Sequence, residues 1–517
     1  MYKLGIDVGG TNTDAVLIDE NLRVAASVKQ HTTKDVYGGI LAAVRAVLRE
    51  SGVERSQIRQ AMLGTTQCTN AIVERKGLAS IGILRIGAPA SLGIPPMVDW
   101  AEDLKAIAVD IAMVGGGFEY DGKELAPFDK EAAKNFFLGL KEKGVKSVAI
   151  SCVFSTVRND HELEAAKLCR EVMGEDVHVS ISSEIGSMGL IERENATILN
   201  ATLYHVAESF TEGFARSFAD EGVANVDIYL SQNDGTLMTM EYARRYPILT
   251  IACGPTNSIR GACYLSRLKN AIVVDVGGTT TDLGVIQNGF PRESGVAVTI
   301  GGVRTNFRMP DVVSIGLGGG SIVREHKNGQ VTVGPDSVGY QITEKALVFG
   351  GDVCTATDIA VRLGLAELGD KTKVAHLSED FSRKALDAVT ELIEDSIDAM
   401  KVSSEDVDLI LVGGGSVILP EKISGAKTVV KPEAGGVANA IGSAISKVSG
   451  NYDKLVDYLV LPREKALEDA KAEAVELAVE AGAVRETVEI IDVEDVPLQY
   501  YPGNTNRVKV KAAGDLK

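Results

Sequence analysis

Residues 7–14, D-V-G-G-T-N-T-D, recur almost unchanged at residues 275–282 as D-V-G-G-T-T-T-D. In each copy an Asp closes a short apolar run, and two glycines then allow a sharp turn that other groups can approach closely. Threonine hydroxyls and backbone N–H groups line the turn, a combination that cradles phosphate oxygens without a lysine. The Asp at the mouth suits a Mg2+-bound water or the positioning of a nucleophile. Two such loops facing each other would clamp a triphosphate. This differs from the G-x-x-x-x-G-K-[ST] loop, which the chain lacks. One octet alone reads equally well as a plain Gly-Gly hairpin. Two in matching contexts do not, because unusual backbone sites gather at functional centres.

Two further glycine loops follow strand-like runs. Gly413, Gly414, Gly415 and Ser416 offer bare backbone against which a nucleobase and ribose could pack, although the same residues also suit a simple turn. The stretch from Gly316 to Ser321 fits a hinge, a phosphate contact or a turn.

The elements that must position these loops are legible in outline. Residues 3–30 read as a three-strand meander, with one turn at the octet and another at Glu20-Asn21. Residues 270–299 repeat the pattern, with the second turn at Asn288-Gly289, so the likeness extends over roughly 30 residues and implies a duplicated unit. Strands and helices alternate elsewhere, as in α/β proteins. Residues 92–130 read as irregular, residues 130–143 as a helix, and 190–222 as one long helical region. From about Asn451 the composition shifts to a charged amphipathic helix and strand-like runs, which reads as a small appendage.

The octets and the L-V-G-G-G-S run resemble the phosphate-1, phosphate-2 and adenosine motifs of the sugar kinase, heat-shock and actin ATPase superfamily. Five stretches narrow the likeness: L-G-T-T-Q-C-T-N-A-I-V-E-R-K-G (63–77), E-R-E-N-A-T-I-L-N-A-T-L, C-G-P-T-N-S-I-R-G-A (253–262), D-V-G-G-T-T-T-D-L-G-V-I and I-G-L-G-G-G-S-I. Together, over residues 1–447, they resemble the hydantoinase/oxoprolinase family, A-subunit type. The resemblance implies an α/β fold of two duplicated actin-like (ribonuclease H-like) lobes around an ATP cleft. The expected units are 1–190, 191–450 with the phosphate-2 and adenosine motifs, and a small α/β appendage at 451–517.

It also implies the chemistry: ATP-dependent activation of a cyclic amide, of hydantoin or 5-oxoproline type, by phosphorylation of its carbonyl oxygen. By this resemblance Asp7 and Asp275 organise Mg2+ and the attacking group. Gly9, Gly10, Thr11, Asn12, Thr13, Gly277, Gly278, Thr279 and Thr280 bind phosphates, with Gly413–Ser416 on the adenosine. Thr65, Thr66, Thr69 and Asn70 are candidates for the substrate side; capping of the helix that follows accounts for them as well. A B-type partner subunit would complete ring opening. Leu63 stands where the family often has histidine, and residues 333–351 depart from the family's usual continuation.

Composition bounds the partners. A formal net charge of −18 excludes a nucleic-acid groove or an anionic membrane as the main partner, and still admits a nucleotide held by backbone and metal. The six dispersed cysteines suit free, buried thiols in a reducing cytoplasm. Neither a signal peptide nor a membrane-spanning run is expected. Histidine spacing suggests no metal site, His205 reads as a packed or surface residue, and Glu192, Arg193 and Glu194 as structural residues of a helix start. A homo-oligomer stays open. So do a small-molecule kinase, which would leave a stable phosphorylated product, and a non-catalytic nucleotide-gated module, which would couple nucleotide to partner binding.

Overall fold

The computed structural model describes residues 1–9, 12–31, 36–223, 226–294, 297–307, 309–499, 501 and 503–517. It is an α/β protein of two actin-like lobes, and each lobe is organised by its copy of the octet.

In the first lobe Tyr2–Val8, Asn12–Asp19 and Val24–His31 form the expected meander, with Ile58–Thr65 parallel to the first of them. In the second, Ala271–Val276 and Thr281–Gln287 pair antiparallel, with Val407–Val412 parallel to the first. The Asn288-Gly289 turn has φ of 53° and 84°, the left-handed pair that a two-residue hairpin of this type requires. Its third strand is short, Phe290–Pro291, and Val312–Ile315 takes over beside the octet end of Thr281–Gln287. The duplication thus holds for the first two strands, and a later segment supplies the third row.

A separate four-stranded sheet, all parallel, is inserted into the first lobe in the order Ala108–Gly115, Ile81–Ala88, Ser147–Cys152, His178–Ile181. Ser147–Cys152 is buried at every position, as a sheet covered on both faces requires. Ala108–Gly115 lies within the stretch that reads as irregular; as a partly exposed edge strand it lacks the strong apolar run that would announce it. The helical region after 190 breaks into Leu190–Thr202 and Tyr204–Asp220.

The tail corrects another expectation. Instead of standing apart, Lys447–Asp457, Thr505–Gly514 and Glu489–Pro497 extend the first lobe's sheet to nine strands, joined through Thr236–Thr239. Asp227–Ser231 and Thr236–Thr239 belong to this sheet too, so the unit borders at 190 and 450 cut across it. The cause is packing that composition hides. Helix Arg463–Glu480 looks charged, yet Ala466, Ala470, Ala474 and Ala478 recur at i, i+4 and bury a narrow stripe on these strands.

Two helices join the lobes. Cys253–Ser266 packs Ile259 and Ala262 on the second sheet, and Ala438–Ala444 packs Ala440, Ile441 and Ala444 on Val16 and Ile18 of the first. They cross almost backbone to backbone: a Cβ on Gly261 would overlap Ala438 O, and one on Gly442 would overlap Asn257 O. No helix among the described residues is long and apolar enough to cross a membrane.

Candidate nucleotide site

The octet turns are built alike. Gly9 N–H donates to Asn12 O at 3.0 Å, and Gly277 N–H to Thr280 O at 2.9 Å. Gly10 and Thr11 lie outside the described residues. Thr13 is fully buried, as is its counterpart Thr281, whose hydroxyl donates to Leu317 O at 2.7 Å. Thr279 is half-buried and Thr280 exposed at the turn itself.

Asp7 and Asp275 end the two central strands and are brought to one place. The Asp7 carboxylate accepts from Asn257 Nδ2 at 3.3 Å and from Asn439 Nδ2 at 3.0 Å, one donor from each crossing helix. Asp275 accepts from the hydroxyl of Ser258, the very next residue after Asn257. The two octets therefore meet on one turn of one helix. Burial pushes the Asp7 carboxyl up to about 6, helped by the charge of Asp14 and opposed by its Asn bonds and by Lys29. Burial likewise pushes Asp275 up to about 6, with the Ser258 bond and Lys29 opposing and the charges of Asp282 and Asp7 adding. Asp7 acting on Asp275 places the two carboxylates within electrostatic reach of each other. Neighbouring glycines leave them room: a Cβ on Gly64 would overlap Asp7 Oδ1, and one on Gly413 would overlap Asp275 Oδ1.

The later glycine loops gather on the second octet. Gly415 N–H donates to Val276 O at 2.7 Å, and Gly413, at φ 84°, donates to Gly435 O at 3.0 Å. Gly319 and Gly320 N–H groups donate to Gly277 O and Gly278 O at 3.0 and 2.7 Å, so residues 316–321 brace that turn from behind. In contrast, a Cβ on Gly278, Gly414 or Gly436 would meet nothing within 4 Å. These three present bare backbone to open space, the surface a phosphate chain or a nucleoside needs.

The substrate-side candidates divide. Thr65 is buried; its hydroxyl accepts Gln67 N–H at 3.3 Å and its backbone N–H meets Cys253 Sγ at 3.4 Å. Thr66 is the N-cap of helix Gln67–Glu74 and donates its hydroxyl to Val8 O at 3.4 Å, which ties it to the first octet. Thr69 is half-buried, and exposed Asn70 lines an open groove of about 550 Å3 with Gln67, Glu74 and His205. Arg193 and Glu194 are structural: Arg193 donates to Cys152 O and Ser182 Oγ, and Glu194 takes the buried Arg85. His205 is a surface residue beside Tyr204 and Glu208. All six cysteines are free. A cleft of about 880 Å3 lies between the 183–189 loop and the tail strands and is lined by no octet residue.

Asn257, Ser258, Asn439 and Lys29 carry no assignment in the sequence reading. Asn257 and Ser258 lie within the quoted C-G-P-T-N-S-I-R-G-A stretch, but their meeting with Asn439 depends on two helices crossing, which no local pattern reports. Asp14 and Asp282 were visible as the last letters of the octets.

Comparison with known proteins follows the same outline. Residues 3–173 match the hydantoinase/oxoprolinase N-terminal region, and residues 193–370 match hydantoinase/oxoprolinase. Caprolactamase subunit alpha of Pseudomonas jessenii is 26% identical over 517 aligned positions, covering 88% of this chain and 71% of the relative. The crystal structure of the ATP-dependent caprolactamase from that organism superposes with a TM-score of 0.78 at 21% identity, over 100% of this chain and 88% of the other. A nucleotide-free acetone carboxylase structure gives 0.69 at 18% identity, over 100% and 88%.

Proposed function

Since this chain belongs to the hydantoinase/oxoprolinase family, we propose that it binds ATP between its octets and phosphorylates the carbonyl oxygen of a cyclic amide, of hydantoin or 5-oxoproline type. A B-type partner subunit completes the ring opening. The observation that carries this reading is the pair of matching turns whose aspartates are held by consecutive residues, Asn257 and Ser258. The caprolactamase relative supports both halves of it, since a lactam is a cyclic amide and that protein is named as one subunit of an assembly.

The chemistry is consistent. An amide carbonyl is a poor electrophile, and phosphorylation converts its oxygen into a leaving group, so binding and ATP energy are spent at the bond that must break. The amide oxygen attacks the terminal phosphorus; an O–P bond forms as the bond to the ADP oxygen breaks. Water then adds to the carbon and the C–N bond breaks, releasing the ring nitrogen and leaving an acyl phosphate; a second water displaces phosphate and leaves the carboxylate. Asp7 and Asp275 hold the attacking group and the phosphates in line, and the bare backbone at Gly278 and Gly414 admits the nucleotide.

The donor set suits a hydrated divalent cation. The buried carboxylate of Asp7 and the half-buried one of Asp275 are held by adjacent residues of one helix, and among the described residues no three His, Cys, Asp or Glu side chains converge to ligate a metal directly. Asp7 and Asp275 would thus hold Mg2+ through its water shell, as this ion usually retains several waters. When bound, it neutralises charge on the phosphate oxygens.

The test is ATP turnover with a panel of hydantoins, lactams and 5-oxoproline, with and without the partner subunit. Stimulation by one ring class, with opened product when the partner is present, is the expected result. A stable phosphorylated product that never opens would make the chain a kinase, and turnover indifferent to every ring would remove the amide reading.

A further inference from the structure

The strand registers align the two lobes residue by residue. In the first, Asp7 lies opposite Gly64 on one side and Asp14 on the other, and Asp14 lies opposite Lys29. Opposed residues of neighbouring strands share a face. Gly64, Asp7, Asp14 and Lys29 thus form one row, and the contacts of Asp7 with Asn257 and Asn439 set that row on the side of the crossing helices. In the second lobe the matching row is Val412, Asp275, Asp282 and Ser314.

The rows agree in their two aspartates and differ at the far end. Lys29 Nζ sits 2.6 and 2.8 Å from the two carboxylate oxygens of Asp14. In the second row the Ser314 hydroxyl donates to Asp282. Each outer Asp therefore has a partner, but only the first lobe brings a full positive charge. The Asp14 side chain is 3% exposed and that of Lys29 39%, so the ammonium stands where the row meets solvent. Lys29 stands on the same row as Asp7, one strand beyond Asp14, at the octet end of the sheet.

The orientation of a nucleotide follows from the glycine loops. Residues 413–416 lie against Val276 and Asp275, so a nucleoside resting on them starts at the second lobe. Its phosphate chain then runs toward the first, where Lys29 stands. We infer that Lys29 is the phosphate-facing cation of the site, anchored on Asp14 and meeting the terminal phosphate, so that the first octet holds the group to be transferred and the second the group left behind. This rests on the nucleotide reading above.

The experiment measures the affinities of wild type, Lys29→Met, Lys29→Arg and Asp14→Asn for ATP, ADP and AMP by calorimetry, with melting temperatures and ATP turnover alongside. A charge-assisted contact to the terminal phosphate predicts about 10- to 100-fold weaker ATP binding in Lys29→Met, with AMP changed less than about twofold. Lys29→Arg should keep part of the preference for ATP over AMP, and Asp14→Asn should keep most of it, because the ammonium itself remains. Equal weakening for all three nucleotides, or a fall in melting temperature alone, would make Lys29 a structural prop for Asp14 and overturn the inference. Should Lys29→Met not fold, loss of the ATP preference in Asp14→Asn together with an unaltered preference in Lys29→Arg would overturn it too. Wild-type protein that binds none of the three would instead remove the nucleotide reading itself.

Discussion

At the scale of residues, the two central aspartates set function against stability. Their carboxyls ordinarily titrate near 3.8, and burial brings both up to about 6. A carboxyl raised in the folded state favours folding while it is protonated in both states, below about pH 4, and that contribution is lost as pH rises through about 6. At pH 8 each charged form opposes folding by about 3 kcal/mol on this accounting. Asp275→Asn should therefore melt higher than wild type by a margin that widens from pH 5 to pH 8, since the Ser258 hydroxyl can reverse its role and serve an amide. A constant margin in scanning calorimetry would contradict the raised carboxyl. The same variant, and Asp7→Asn, should lose at least about a hundredfold in ATP turnover. Wild-type turnover should fall on the acid side with a midpoint near 6 as these groups take up protons.

At the scale of elements, the site depends on how closely two helices approach. Gly442 lies within Ala438–Ala444, where alanine would ordinarily favour the helix by up to about 1 kcal/mol. Here a Cβ would run into the carbonyl of Asn257, whose side chain holds Asp7. Gly442→Ala should cost about 1–3 kcal/mol in urea unfolding and depress ATP turnover, because it displaces Asn257 from the carboxylate. Gly213→Ala is the control: on helix Tyr204–Asp220 its Cβ would meet nothing within 4 Å, so stability should hold or rise. If both variants behave alike, the close crossing is not what positions Asp7. This dependence also explains what could be read in advance. The octets were legible because a Gly-Gly turn between β-branched runs is a local pattern, and its recurrence near Asp275 removed the plain-hairpin reading. Asn257, Ser258 and Asn439 gain their roles only from the crossing. Lys29 meets Asp14 only through the register of two paired strands, and meets the row of Asp7 only once a third lies beside them, which no local pattern reports. Thr65 and Thr66 read either as helix-start residues or as substrate contacts; the Thr65 hydroxyl takes Gln67 N–H at the helix start, while the Thr66 side chain makes no cap bond and reaches Val8 O instead.

At the scale of the whole molecule, the tail decides what counts as a folding unit. A charged helix and two strands after residue 450 suggest an appendage, yet Lys447–Asp457 and Thr505–Gly514 pair along ten residues each and carry the sheet outward from Thr236–Thr239. The core beneath them mixes the ends of the chain: Met62 and Leu237 pack with Val448, Ala474, Val508 and Val510. Lys511 of the last strand, 8% exposed, pairs with buried Asp234 at 3.0 Å. Removing residues 451–517 would strand that carboxylate without its cation, expose the apolar face of the nine-stranded sheet, and leave an unpaired edge. Truncation at 450 should therefore abolish cooperative unfolding of the first lobe and drive aggregation, whereas Lys511→Met in the full chain should cost about 3–5 kcal/mol and keep the fold. A soluble 1–450 fragment with a sharp melt and full ATP turnover would show that the tail is the appendage its composition suggests. An aggregated fragment beside a folded Lys511→Met variant would show that the first octet's lobe is built from both ends of the chain, so that the strand bearing Asp7 keeps its place only once the last residues have been added.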